Sequence, residues 1–163
     1  MIIFSQTTSG VFLCVLMMLM EVSCMRHSYE IKLSGPVILD DHWIELHPAS
    51  PLKADKDLQM VLIKLEAPFK DDEYKEGSGP NKGKGILMPD QAVINPEIQV
   101  IDQYGNTYSL VYAGARGGMA AYDLPYPNEW PRDREYKTVR IRSPRSIKCK
   151  AIYWFCESTK DWK

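Results

Sequence analysis

Carboxylate and imidazole side chains are most concentrated in the stretch DDHWIELH, residues 40–47. Side chains alternate along a strand, so if Ile44 and Leu46 face a core, the intervening residues share the outer face. These outer residues would be Asp41, Trp43, Glu45 and His47. A carboxylate and an imidazole on one face could hold a metal ion or serve as acid and base. An exposed polar strand face explains the same pattern, and no further histidine lies at ligand spacing, so we expect no metal and no cofactor.

A second candidate is the stretch GARGGMAAYDLPYPNEWPRDREY, residues 114–136, which separates two strong strand patterns. Sugars are bound by such a mixture, because an aromatic ring stacks on the sugar while polar groups take its hydroxyls. Prolines restrict the stretch and lower the entropy lost on binding. We predict a surface recognition loop whose ligand-binding residues are Arg116, Tyr122, Asp123, Tyr126, Glu129 and Trp130. The alternative is that the aromatic rings fold back and plug one end of the domain.

Two classes of function follow from these candidates. The first is a non-catalytic, exported binding module that recognises a carbohydrate or a protein surface through the 114–136 loop. The second is a small metal- or carboxylate-dependent hydrolase or lyase that uses Asp41, Glu45 and His47. The chain has no nucleophile motif, and its other carboxylates lie mostly among lysines. We therefore favour the binding module and assign no catalytic residue.

The net charge of −1 hides two segments of opposite sign. Residues 40–76 hold ten acidic and five basic side chains, a net of −5, and residues 132–150 hold eight basic and two acidic ones, a net of +6. The basic segment could bind phosphate, sulfate or an acidic sugar, or the two segments could simply attract each other. Because the whole chain is close to neutral and has no known reader motif, we expect no nucleic-acid partner.

The first 26 residues differ in composition from the rest of the chain. No charged side chain precedes Glu21, a ten-residue apolar block spans 11–20, and all eleven prolines come later. This block suits the hydrophobic part of a secretory signal, and Cys24 resembles the lipidated cysteine of a bacterial lipoprotein signal. We expect residues 1–26 to be a signal peptide or a membrane or lipid anchor, and the protein to be secreted or membrane-anchored. If translation starts at Met25, the protein is cytoplasmic.

Residues 27–163 show one strand pattern after another, with turn residues between them. The predicted strands are 29–33, 42–46, 58–66, 86–94 with a break at Pro89, 98–102, 107–112, 137–142 and 147–156. Gly105 supplies the positive φ for a hairpin turn between the fifth and sixth. Cys149 and Cys156 are seven residues apart on the last strand, so we expect them to face opposite sides. The pattern predicts an all-β fold, an antiparallel β-sandwich of about eight strands.

Three segments within this domain resemble the later half of galactose-binding-like jelly-roll domains. They are VIDQYGNTYSLVY (100–112), YKTVRIRS (136–143) and IKCKAIYWFC (147–156), and the resemblance covers residues 95–156. It implies a jelly-roll β-sandwich that binds sugars, lipids or proteins through loops at one end. None of the binding residues of those domains maps onto this chain.

Overall fold

A computed structural model describes residues 28–54, 58–71, 85–90, 92–125 and 128–158. The predicted signal or anchor segment, with Cys24 and Met25, lies outside these ranges. Within them the chain forms thirteen strands and no helix, and so no helix that could cross a membrane. The strands are β1 (Ser28–Ser34), β2 (Val37–Leu39), β3 (Ile44–Leu46), β4 (Leu52–Lys53), β5 (Leu58–Leu65), β6 (Lys70–Asp71), β7 (Ile86–Leu87), β8 (Val93–Ile94), β9 (Glu97–Asp102), β10 (Thr107–Arg116), β11 (Met119–Asp123), β12 (Glu135–Arg142) and β13 (Ile147–Glu157).

Ten of these strands form one antiparallel sheet. Its main order is β1-β13-β5-β11-β10-β9-β12-β3, with β2 beside β13 and β4 beside β12. Because β10 pairs with β11 through one half and with β9 through the other, the sheet continues around the core and is nearly closed into a barrel. The all-β, antiparallel prediction is confirmed. The remaining strands β6, β7 and β8 form a separate small sheet.

The long strands coincide with the alternating sequence patterns, whereas β2, β4, β6 and β11 were not predicted. β2 and β4 are three and two residues long and exist because they pair with the long strands β13 and β12. A segment this short has no periodicity of its own. β11 was missed because its residues, MAAYD, do not alternate between polar and apolar side chains.

Two tight hairpins order the strands around β10. Gly105, at φ 85°, turns the chain from β9 into β10, as predicted. Gly117 and Gly118, at φ 56° and 73°, form the two-residue turn that joins Arg116 of β10 to Met119 of β11. Both residues of such a turn need a positive φ, so this Gly-Gly pair makes a tight hairpin.

An aromatic cluster occupies the centre of the barrel. The Trp154 ring is fully buried and lies 5.1 Å from the Trp130 ring and 5.7 Å from the Tyr136 ring. Trp130 and Tyr136 meet edge to face at 5.3 Å, and the indole N–H of Trp154 donates to the carbonyl of Lys53. Edge-to-face contacts of buried rings add to the stabilisation from burial itself. We call Trp130, Tyr136 and Trp154 the central triad.

A bulge in β13 changes the orientation of its cysteines. The pairing of β13 with β5 shifts register between Cys149 and Ala151. One extra residue reverses the alternation beyond it, so Cys149 and Cys156 both face the core. The prediction that they face opposite sides was therefore wrong. Both are thiols and not disulfide sulfurs, the Cys156 thiol donates to the carbonyl of Lys53, and burial raises the pKa of Cys149 to about 12.

Replacing Trp154 tests how much the central triad contributes to stability. We expect Trp154→Ala to lower the free energy of unfolding by about 3–5 kcal/mol, because the cavity would lie among buried rings. Ile38→Ala, at a side chain that is 55% exposed, should cost less than about 1 kcal/mol. Urea denaturation monitored by far-UV circular dichroism measures both. Equal losses in the two variants would contradict a core organised around Trp154.

Candidate functional site

The predicted 114–136 loop is divided by the β10–β11 hairpin. Residues 114–116 extend β10, residues 119–123 form β11 and residues 135–136 begin β12. Among the described residues of the stretch, the Gly117–Gly118 turn, 124–125 and 128–134 lie outside strands. The Tyr122 ring is fully buried and meets the Tyr112 ring at 5.5 Å. Burial raises the pKa of Tyr122 well above its usual value. A single long recognition loop was therefore the wrong description, because its first half is sheet.

Trp130 leaves the connecting segment and enters the core as part of the central triad. Its side chain is 8% exposed, and its indole N–H donates to Asp123 Oδ1 at 2.6 Å. Asp123 closes β11, so this bond ties both ends of the 124–129 segment to the barrel. Trp130 and Tyr122 are both buried in the main core, Tyr122 as a residue of β11. Tyr126 lies outside the described residues.

Asp123 is a partly buried carboxylate with an unusual environment. Burial raises its pKa, although the hydrogen bonds from the Trp130 indole and the Leu124 amide work in the opposite direction. Burial disfavours the charged carboxylate, and two donors recover only part of that cost. Asp123 therefore holds the 124–129 segment in place, with a charge state that depends on pH.

A depression of about 440 Å³ lies between the 124–129 segment and the beginning of β10. It is lined by Thr107, Tyr108, Ser109, Leu124, Pro125, Asn128 and Glu129. The ends of β9 and β11 and the starts of β10 and β12 come together here because neighbouring strands are antiparallel. We call it the end depression. Its volume is within the range of small-ligand pockets, and its wall combines hydroxyl, amide and carboxylate groups with apolar surface.

The β10 side of the end depression is held by Asp102. The Asp102 carboxylate accepts hydrogen bonds from the amides of Tyr104 and Asn106, from the Asn106 side chain and from the hydroxyl of Tyr108 at 3.2 Å. Burial alone would raise the pKa of Asp102, but these hydrogen bonds outweigh it and lower the pKa. Tyr108 also contacts Tyr136 edge to face at 5.7 Å. Its ring is thus fixed before any ligand binds.

The contribution of β10 to this site was not predicted. Thr107 and Ser109 alternate with Tyr108 in a strand pattern, which indicated sheet rather than a ligand site. A usable signal was their position directly after the Gly105 turn, since residues beside a hairpin turn lie at the end of a sheet. Of the predicted residues, Glu129 lines the depression, and Asp123 and Trp130 fix its wall.

Arg116 is distant from the rest of the predicted set. It lies at the opposite end of β10, and the rise of about 3.3 Å per residue puts roughly 20 Å between it and Ser109. Its guanidinium stacks over Phe155 at 4.4 Å and forms an ion pair with Glu157, which is 6% exposed. The fold therefore does not bring Arg116 together with Glu129.

Of the residues of the enzyme hypothesis, Glu45 is exposed on β3, His47 directly follows this strand and Asp41 precedes it. Glu45 is 3.7 Å from His47 and 3.3 Å from Arg140, while Asp41 contacts His42 at 2.9 Å. Trp43 carries the guanidinium groups of Arg140 and Arg142 over its ring. In the described ranges, the one group with a spacing suited to a metal ion is Asp40, Asp41 and His42, all exposed. Glu45 and His47 meet, as predicted, but Asp41 pairs elsewhere.

Acidic partners neutralise much of the basic segment 132–150. Arg140 contacts Glu45 at 3.3 Å and Arg142 contacts Glu97 at 2.7 Å. The remaining arginine pairs of this kind are Arg134–Asp102, Arg134–Asp133 and Arg145–Asp90. Of these arginine pairs, only Arg140–Glu45 joins this segment to the acidic segment 40–76, and the other carboxylates lie outside that acidic segment.

A second hollow of about 390 Å³ lies beside the small sheet. It is lined by Pro68, Phe69, Lys70, Leu87, Met88 and Pro89. Lys70 is the one charged side chain among these residues, and the other lining side chains are apolar. The end depression is therefore the better candidate for a polar ligand.

Comparisons with known proteins identify no relative. No protein-family model, no curated protein and no solved structure matches the chain. The interpretation of the end depression therefore depends on its own geometry.

Replacing Trp130 by alanine tests whether its side chain belongs to the core or to the surface. Trp130→Ala should lower the free energy of unfolding by about 3–5 kcal/mol, since it removes a buried indole from the central triad. Glu129→Ala, one residue earlier and exposed, should change it by less than about 0.5 kcal/mol. Urea unfolding of both variants is the measurement. If Trp130→Ala lowers the free energy of unfolding by less than about 1 kcal/mol, Trp130 is not a core side chain.

The raised pKa of Asp123 predicts a particular dependence of stability on pH. A raised folded pKa means that the native state holds the proton more tightly than the unfolded chain does. The stabilisation that this provides is complete below the usual value of 3.8 and is lost as pH rises through the folded pKa. Asp123→Asn keeps an acceptor for the indole N–H but cannot ionise.

The stability of Asp123→Asn relative to the natural protein should therefore increase as pH rises above about 4 and then level off. Urea midpoints measured from about pH 3 to about pH 8 show this, with Asp133→Asn as the control, because that carboxylate is 78% exposed. If the stability of Asp123→Asn relative to the natural protein falls with rising pH, the pKa of Asp123 is not raised in the folded state.

Proposed function

We propose that the protein is a non-catalytic binding module that recognises a carbohydrate through the end depression. The observation that carries the proposal is the combination of groups around this one hollow. The polar groups are the hydroxyls of Thr107 and Ser109, the amide of Asn128 and the carboxylate of Glu129. Leu124 and Pro125 supply an apolar surface for the C–H face of a sugar ring. Sugars present hydroxyls at the ring edge and C–H groups on the ring face, which matches this division.

The size of the depression favours a small polar ligand over a protein surface. A stable protein interface buries roughly 800 Å² on each partner and is broad rather than concave. A hollow of about 440 Å³ has the volume of a site for one or two sugar units. Recognition of a protein surface remains the alternative occupant within the same binding-module proposal.

The geometry gives less support to a hydrolase or lyase built on Asp41, Glu45 and His47. Glu45 and His47 are 49% and 66% exposed on an outer strand face, and neither lines one of the two hollows described above. Catalysis by an acid–base pair depends on a site that holds the substrate in place and excludes water. We therefore retain the binding module.

Export belongs to the same proposal. The uncharged, apolar composition of residues 1–26 supports a secretory signal or an anchor, with membrane contact through this segment and lipid attachment at Cys24. A start at Met25 would instead leave the protein in the cytoplasm. The jelly-roll resemblance of residues 95–156 supports a binding role for loops at one end of the domain.

Glu129→Gln tests the site directly. A lost charge-assisted hydrogen bond to a sugar hydroxyl is worth about 1.5–3 kcal/mol, so affinity should fall about tenfold or more. Glu30→Gln is the matched control, because Glu30 is exposed on the edge strand β1. The full chain is screened on an array of neutral and acidic glycans, and the strongest hit is titrated calorimetrically.

Two results would contradict the proposal. One is the absence of binding to any glycan on the array. The other is a glycan that binds Glu129→Gln and Glu30→Gln with equal affinity. Thermal unfolding of both variants shows whether the fold is retained.

A further inference from the structure

Tyr104 is the most exposed large hydrophobic side chain among the described residues. It lies at the tip of the β9–β10 hairpin and is 68% exposed. Single exposed apolar side chains are common on protein surfaces, so exposure alone indicates nothing. The surroundings of Tyr104 are what distinguish it, because both its backbone and one face of its ring are held in place.

The backbone of the hairpin tip is fixed by Asp102. The amide of Tyr104 donates to Asp102 Oδ1 at 2.9 Å, and the amide of Asn106 donates to the same oxygen at 2.8 Å. Gly105, at φ 85°, completes the turn and donates its own amide to the Asp102 carbonyl at 3.1 Å. The position of Tyr104 is therefore set before any ligand arrives, which lowers the entropy lost on binding.

One face of the Tyr104 ring is covered by Arg134. The guanidinium carbon lies 4.8 Å from the ring centroid. With 68% of the residue exposed, the opposite face of the ring is open to solvent. Arg134 is 3.7 Å from Asp102 and 3.5 Å from Asp133, which are ion-pair distances longer than ordinary hydrogen bonds. Tyr104 and Arg134 together thus offer an exposed aromatic face with a guanidinium group behind it.

The hairpin tip and the end depression share one carboxylate. Asp102 holds the Tyr104 amide through Oδ1 and accepts the Tyr108 hydroxyl through Oδ2. Tyr108 and Thr107 line the depression, and Thr107 follows Tyr104 by three positions. The free ring face and the depression are therefore neighbouring features of the same end of the barrel.

We infer that Tyr104, backed by Arg134, is a second sugar-contacting site, so that the ligand is a neutral oligosaccharide of more than one unit. The inference rests on the proposed function of the end depression. One unit lies in the depression, and a neighbouring unit stacks its C–H face on Tyr104. The ligand is neutral because Asp102 and Asp133 balance the charge of Arg134, while Glu129 would repel an anion.

The test compares binding across ligand length. The full chain is applied to glucan, mannan, galactan and xylan oligosaccharides of about one to six units, and to oligogalacturonates of the same lengths, with multivalent array display. We expect at least one neutral series to gain about tenfold in affinity beyond the single unit, as for an added aromatic anchor. Tyr104→Ala should remove this gain and leave single-unit binding unchanged.

Tyr104→Phe is the matched control, because it keeps the ring and should keep the gain. Neither substitution should alter thermal unfolding, since the side chain is exposed. Binding that does not depend on length, a gain that survives Tyr104→Ala, or stronger binding of oligogalacturonates would each overturn the inference.

The proposed function and this inference fail in different ways. A neutral glycan whose binding is lost in Glu129→Gln but unaffected by Tyr104→Ala refutes only the second sugar contact. Absence of binding to every glycan refutes both.

Discussion

The packing of Trp130 against Trp154 is the contact on which the rest of the candidate site depends. Trp154 comes from the longest strand of the sheet, whereas Trp130 comes from a segment without regular structure. Their rings meet edge to face at 5.1 Å, with Tyr136 completing the central triad. Removing an indole from water stabilises the fold by a few kcal/mol, which offsets part of the entropy cost of ordering the segment that carries it.

That contact determines where the wall of the end depression lies. Once Trp130 is buried, its indole N–H needs an acceptor, and Asp123 at the end of β11 provides one at 2.6 Å. Leu124, Pro125, Asn128 and Glu129 then line the depression beside β10. A core interaction thereby shapes a surface hollow, and Asn128 and Glu129 are exposed on its wall.

Asp102 has the same role on the other wall. A buried carboxylate is costly unless its oxygens are paired, and here two amides, a side-chain amide and a tyrosine hydroxyl pair them. The same hydrogen bonds fix the hairpin tip and the Tyr108 ring. Both walls of the depression are thus held by partly or fully buried carboxylates, while Glu129 lines the depression itself.

The charged residues act mainly by forming ion pairs with one another and less by creating an electrostatic potential over the surface. Arg140 and Arg142 meet glutamates on neighbouring strands and share the Trp43 ring. Exposed pairs of this kind stabilise a fold only slightly. Their consequence is that Arg140 and Arg142 already have acidic and aromatic neighbours within the fold.

Alternation and turn residues in the sequence alone determined the all-β class, the long strands and the β9–β10 hairpin with its glycine. These are local properties, since period-two patterning and positive φ are set by neighbouring residues. The tertiary structure decided which aromatic rings are inside: Trp130 is buried and Tyr104 is exposed, although both occur in polar, turn-like surroundings. It also decided that Cys149 and Cys156 share a face, because a bulge is a property of strand pairing. Burial depends on which strands become neighbours, and that is settled only when the sheet curves around its core.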